Sequence, residues 1–93
     1  MPVVDWRETA REDLLAIVTY IMDDNIEAAQ RLKDDIEKNV AELIHNPRMY
    51  KRGRVAGTRE MIVRTNYIVV YTENSEKISI LRVLHAARNW PWV

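Results

Sequence analysis

The 93-residue chain has no cysteine, only two histidines, two glycines and three prolines. Without thiols there is no disulfide framework, no thiolate zinc site and no cysteine nucleophile, a pattern that suits a reducing cytoplasm. Few glycines and prolines, with 47% hydrophobic and 30% charged residues, exclude a disordered, collagen-like or low-complexity chain. Uninterrupted apolar stretches are short, as in Ile68-Val69-Val70-Tyr71, so no membrane span or secretory signal fits. A chain of this length makes one domain, residues 1–93, that buries roughly two-thirds of its unfolded surface. That is enough for one core and too little for a large enclosed substrate cavity.

Net charge is zero, but its distribution is lopsided. Residues 1–46 carry five Lys and Arg against eleven Asp and Glu, and residues 47–93 carry nine against three. An acidic half that builds scaffold and a basic half that meets polyanions or an acidic partner is one consequence. Mutual neutralisation of the halves across the fold is the other.

What is present is hydrophobic periodicity. Val3-Val4-Asp5-Trp6 reads as a short strand. Thr9 followed by Glu12 has the spacing of a capping box, and Ala10, Leu14, Ile17, Val18 and Ile21 recur at helical spacing, which predicts a helix over 9–23. Asp24-Asn25 is a break and a fresh N-cap. Ala29, Leu32, Ile36, Val40, Leu43 and Ile44 form a second stripe that ends at His45-Asn46-Pro47, where proline forbids continuation. Residues 47–57 form a basic loop. Strands follow over 58–64, 67–72 and 77–85, joined by turns at Thr65-Asn66 and Asn74-Ser75-Glu76. The order is β-α-α-β-β-β, an α+β class in which the helical hairpin packs on one face of a small antiparallel sheet and leaves the other face for function.

Most familiar chemistries find no support. His45 and His85 are too far apart in sequence to form a paired-His metal motif, so no metal or other cofactor is expected. Ser75 and Ser79 lack a nucleophile elbow, and Gly53–Gly57 lacks the Lys and following helix of a phosphate loop. What remains is a basic strand-and-loop cluster with one group that titrates near neutrality. Arg59 shares a strand face with Met61 and Val63, and Arg64 falls on the opposite face with Glu60 and Ile62. His85 closes the last strand, and Arg88 follows it. Cleaving RNA through its own 2′-hydroxyl needs a proton acceptor, a proton donor and a charge clamp, for which His and Arg are suited. The plainer alternative is a strand-capping histidine with solvated or partner-binding arginines. Tyr67 and Tyr71 share a face and either stack on bases or roof the core. Trp90-Pro91-Trp92 either folds back on the domain or anchors a partner.

The segments 5–21, 23–32, 45–60, 66–72 and 80–91 together resemble the RelE/ParE superfamily of bacterial toxins, the RelE/StbE-type relatives in particular. The resemblance covers residues 4–91, with the G-T-R-E, N-Y-x-x-x-Y and V-L-H-A-A-R blocks as its most specific parts. It implies the toxin of a type II toxin–antitoxin module, active in the cytoplasm and held silent by a cognate antitoxin; a toxin–antitoxin heterotetramer is compatible with it. RelE-like members cut mRNA on the ribosome, the mechanism expected here; ParE-like members, the alternative, inhibit DNA gyrase without cleaving anything. The ribonuclease reading implies His85 as general acid or base, Arg59 and Arg88 as phosphate clamps, Tyr71 as a base-stacking or positioning group, and Arg64, Arg54 and Arg52 as RNA contacts. Two positions at which RelE-like toxins carry arginine are Ile68 and Ala86 here. The hairpin's exposed apolar positions, Trp90 and Trp92 are the implied antitoxin contacts.

Overall fold

A computed structural model describes residues 2–87. Arg88, Trp90 and Trp92 lie outside the described residues. The order is β1 (Val3–Trp6), α1 (Glu8–Met22), α2 (Ile26–Glu42), β2 (Arg59–Val63), β3 (Tyr67–Glu73) and β4 (Lys77–His85), as expected. The strands form one sheet in the order β1-β4-β3-β2. β2, β3 and β4 are antiparallel neighbours, but β1 runs parallel to β4, so the sheet is mixed. Two helices separate β1 from the rest of the sheet, and such a crossover is what lets the first strand return beside the last in parallel.

Both helical stripes cover the same sheet face. Ala10, Leu14 and Val18 of α1 and Ala29, Leu32, Ile36 and Val40 of α2 are buried against Met61, Val63, Val69, Tyr71, Ile78, Ile80 and Val83. The period-two alternation of the strands therefore meets the 3.6-residue period of the helices along one layer. The opposite face is less open than the sequence suggests. Ile68, Val70 and Leu84 form a second buried cluster there, with Leu81 packed beside it.

Asn25 caps α2 as its chemistry predicts, its side chain accepting from the Ala28 N–H at 3.0 Å. The capping box at Thr9 does not form. Arg7 occupies the N-cap without a side-chain bond, and the Thr9 hydroxyl donates instead to the Leu81 carbonyl at 2.9 Å. The cause lies in β4. Its register shifts between Val70 and Tyr71 of β3, so Val70 faces Arg82 while Tyr71 faces Ile80, and Leu81 is the bulged residue. β1 pairs β4 only as far as Ile80, and Arg7 N–H takes the Ile80 carbonyl at 3.0 Å. Beyond that point α1 stands in for the missing strand. Thr9 takes the Leu81 carbonyl, and Asp13, one helical turn on, accepts from the Val83 N–H at 3.0 Å and from Arg82 Nε at 2.7 Å.

Candidate functional site

The basic half of the chain is split between two ends of the sheet. At one end the 44–58 loop wraps the start of β2 and the end of β3. At the other, the β2–β3 turn meets the end of β4.

The loop end is held by its own arginines. Arg59 donates from Nη1 to the carbonyls of Tyr50 at 2.8 Å and Arg48 at 3.4 Å, and its Nε lies 3.7 Å from Glu73. Arg48 Nε reaches the other oxygen of Glu73 at 3.3 Å. The Tyr71 hydroxyl donates to the Pro47 carbonyl at 2.7 Å, and burial pushes this phenol up to about 12 despite the nearby Arg59 charge. Lys51 and Gly53 extend the sheet by one short rung: Glu60 N–H donates to the Lys51 carbonyl at 3.1 Å and Gly53 N–H to the Thr58 carbonyl at 2.8 Å. A Cβ at Gly53 would run into the Thr58 hydroxyl, which explains glycine at that position. The turn closes with Thr58 N–H donating to the Val55 carbonyl at 3.1 Å and Gly57 at φ 83°, a left-handed conformation that glycine adopts without strain.

Glu60 is the pin of this loop. It is 3% exposed, and its carboxylate accepts from the Arg54 backbone N–H at 2.9 Å and from the Arg54 guanidinium at 3.3 and 3.4 Å. Burial alone would raise its pKa; the bonds and charge of Arg54, with help from Lys51, outweigh burial and hold the carboxyl below the usual range. Arg52 differs from its neighbours. It is exposed, lies opposite Arg59 across the short rung, and makes no hydrogen bond or ion pair among the described residues. It lines a polar cleft of about 290 Å³ together with Gly53, residues 55–59 and Glu73.

The turn end is built differently. Arg64 (φ 54°) and Thr65 (φ 59°) are both left-handed without being glycine, and a β-branched residue there is an unusual conformation. Arg64 is therefore in the turn rather than on a strand face, and its Nε donates to Asp35 of α2 at 2.7 Å. Asn66 accepts from the Ala86 N–H at 2.6 Å through its backbone carbonyl. His85 is exposed, stands edge-on to Tyr67 with ring centroids 5.5 Å apart, and accepts from the Ala87 N–H at Nδ1, so the neutral ring carries its proton on Nε2.

The residues expected to act together are thus apart. Register places Arg59 opposite Tyr71 and His85 opposite Tyr67, four residues along β3, a separation of about 13 Å along the strand direction alone. Tyr71, expected either to stack on or position a base or to roof the core, is fully buried in the core. The Arg59, Arg54 and Arg64 guanidiniums all hold carboxylates or loop carbonyls of this chain. Of the expected basic contacts among the described residues, Arg52 alone is without such a partner. No group of acidic and histidine side chains among the described residues could hold a metal ion.

The exposed apolar positions of the hairpin, expected without residue numbers, are Leu15 at 66% exposure, Tyr20 at 81%, Met22 and Ile26. Trp6, Leu14, Leu15 and Val18 line a groove of about 250 Å³ together with Arg11, Lys33 and Glu37. The signal for the exposed positions was present in the apolar residues of α1 that fall off the core stripe.

Comparison with known proteins fits this architecture. Residues 4–90 match the family described as the ParE toxin of the type II toxin–antitoxin system parDE. The chain is 31% identical over 90 residues to Y4kP of Sinorhizobium fredii, a protein named as a candidate toxin, covering 97% of this chain and 94% of that one. Among solved structures, a chain of the chromosomal ParDE system from P. aeruginosa superposes with a TM-score of 0.79 at 25% identity, covering 91% of this chain and 96% of that chain. YafQ from E. coli shares the fold at TM-score 0.66 and 15% identity, covering 94% of this chain and 96% of that one.

Proposed function

Since this chain belongs to the ParE toxin family, and so is the toxin of a type II toxin–antitoxin system, we propose that it arrests growth by binding DNA gyrase rather than by cutting mRNA. The observation that carries this reading is the dispersal of the described members of the expected catalytic set, Arg59, Tyr71 and His85. Acid–base chemistry on a phosphodiester needs a proton-transfer group within hydrogen-bond reach and cations around the same phosphorus. Here Tyr71 is buried, Arg59 is a loop latch, and His85 sits at the other end of the strand. RNA binding also draws on unpaired cations, because phosphate contacts dominate affinity. The pairing of Arg48, Arg54, Arg59 and Arg64 with Glu73, Glu60 and Asp35 leaves few.

The antitoxin, in this reading, lays an amphipathic segment over the apolar patch and groove of α1 and α2. Leu15 and Trp6 supply apolar contact, and Arg11 and Lys33 meet acidic rim residues. Both gyrase and antitoxin would be met in the cytoplasm.

The test is controlled expression in bacteria, with an SOS-response reporter and primer extension on a translated message in one culture. SOS induction with intact messages is expected, and His85→Ala should leave the arrest unchanged. Codon-phased cuts in translated RNA with a silent reporter would overturn the gyrase reading and restore His85 as a catalytic candidate.

A further inference from the structure

The loop end holds more positive charge than it uses. Arg48, Lys51, Arg52, Arg54 and Arg59 surround just two carboxylates, Glu60 and Glu73. Arg54 is bound to Glu60, with Lys51 adding charge beside it, and Arg48 and Arg59 share Glu73, so Arg52 remains without a hydrogen bond or ion pair among the described residues. Arg52 lines the polar cleft of about 290 Å³. Ala56 and Gly57 line it as well, and their backbone N–H groups make no hydrogen bond among the described residues. Gly57 leaves open space where a Cβ would stand, so a ligand can approach the backbone there. The walls are firm, because Glu60, Thr58 and Arg59 pin the loop from below.

We propose that this cleft is a carboxylate-binding site, in which Arg52 and the Ala56 and Gly57 N–H groups receive an acidic side chain from a protein partner. A guanidinium presents a planar fork that matches a carboxylate in two parallel bonds. A nucleic acid fits less well. It needs repeated phosphate contacts along a track, whereas the unpaired cations among the described residues here are confined to adjacent residues of one rung. A single carboxylate needs only Arg52 and the turn amides, and Glu73, whose charge is matched by Arg48 and Arg59, adds little repulsion. The site is independent of whether gyrase is the toxin's target.

The experiment is an amide-resolved NMR titration of the full chain with a hexaglutamate peptide, a six-nucleotide single-stranded DNA and inorganic phosphate in turn. Hexaglutamate should move the amides of residues 52–58, and Arg52→Glu should weaken that binding at least tenfold while leaving the thermal midpoint in place. Arg52→Lys, which keeps the charge and loses the fork, should fall between. Three results would overturn the proposal: tighter binding of the oligonucleotide at the same amides, equal shifts from inorganic phosphate, which would mark an adventitious ion only, or undiminished peptide binding by a folded Arg52→Glu chain.

Discussion

The two ends of the sheet use the same kinds of side chain in opposite ways. At the loop end, arginines are inward braces. Arg59 holds two loop carbonyls and Arg54 grips a buried glutamate, so their charge stabilises the chain's own backbone. At the turn end, Arg64 and Thr65 are held in a left-handed conformation that costs about 1–3 kcal/mol per residue, and His85 stands exposed. One end is ordered around a buried carboxylate; at the other Arg64 holds the half-exposed Asp35 of α2 while its turn stores strain. Residue type therefore says little about role until the partner is known. Arg59 and Arg54 brace the loop around Glu73 and Glu60, and Arg64 ties the β2–β3 turn to α2 through Asp35.

Substitutions can break this contrast. The largest effect is expected at Glu60, where Glu60→Ala removes the acceptor of three Arg54 bonds from a buried position and should cost about 2–3 kcal/mol in urea unfolding. The same group makes the loop pH-sensitive. Its folded pKa is held below the 4.5 it has without these contacts, so its contribution is complete above that value and is lost as pH falls through the folded pKa. Urea midpoints from about pH 6 down to about pH 3 should fall more steeply in the wild type than in Glu60→Gln.

Arg59→Ala comes next, at about 2 kcal/mol, because the Tyr50 and Arg48 carbonyls lose their donor; Arg59→Lys should recover less than half of it. Lost toxicity in a chain of unchanged stability would instead mark Arg59 as a target contact and erase the contrast between the ends. At the turn, the sign should reverse. Thr65→Gly relieves the left-handed strain and should raise stability by about 0.5–1 kcal/mol, offset in part by glycine's greater freedom when unfolded. Loss of growth arrest in that more stable variant would show that the strain is kept for target binding. His85→Ala should be smallest, within about 0.5 kcal/mol, since the ring is exposed and touches Tyr67 by its edge.

Much of the fold was legible before any tertiary contact was known. The stripes of α1 and α2, the cap at Asn25 and the stop at Pro47 are local signals, read from residues a few positions apart. Where the reading missed, a distant partner had won. Thr9 left its capping role for a carbonyl 72 positions away, and Asp13, off the apolar stripe of α1, closes the β4 bulge from 69 and 70 positions away. The candidate site was legible as a list of basic residues and illegible as an arrangement. Nothing in the spacing of Arg59 reveals that its hydrogen bonds end on Arg48 and Tyr50, and of the two readings open for Tyr71 packing chose the core.

Sequence by itself determined the element order, the two amphipathic helices and the separation of acidic from basic halves, because these follow from periodicity, capping chemistry and composition over short stretches. Tertiary structure alone decided the parallel edge strand, the carboxylate or carbonyl each arginine holds, and the freedom of Arg52. A buried polar group takes whichever partner the packed chain brings within about 3 Å, and that depends on which distant segments meet.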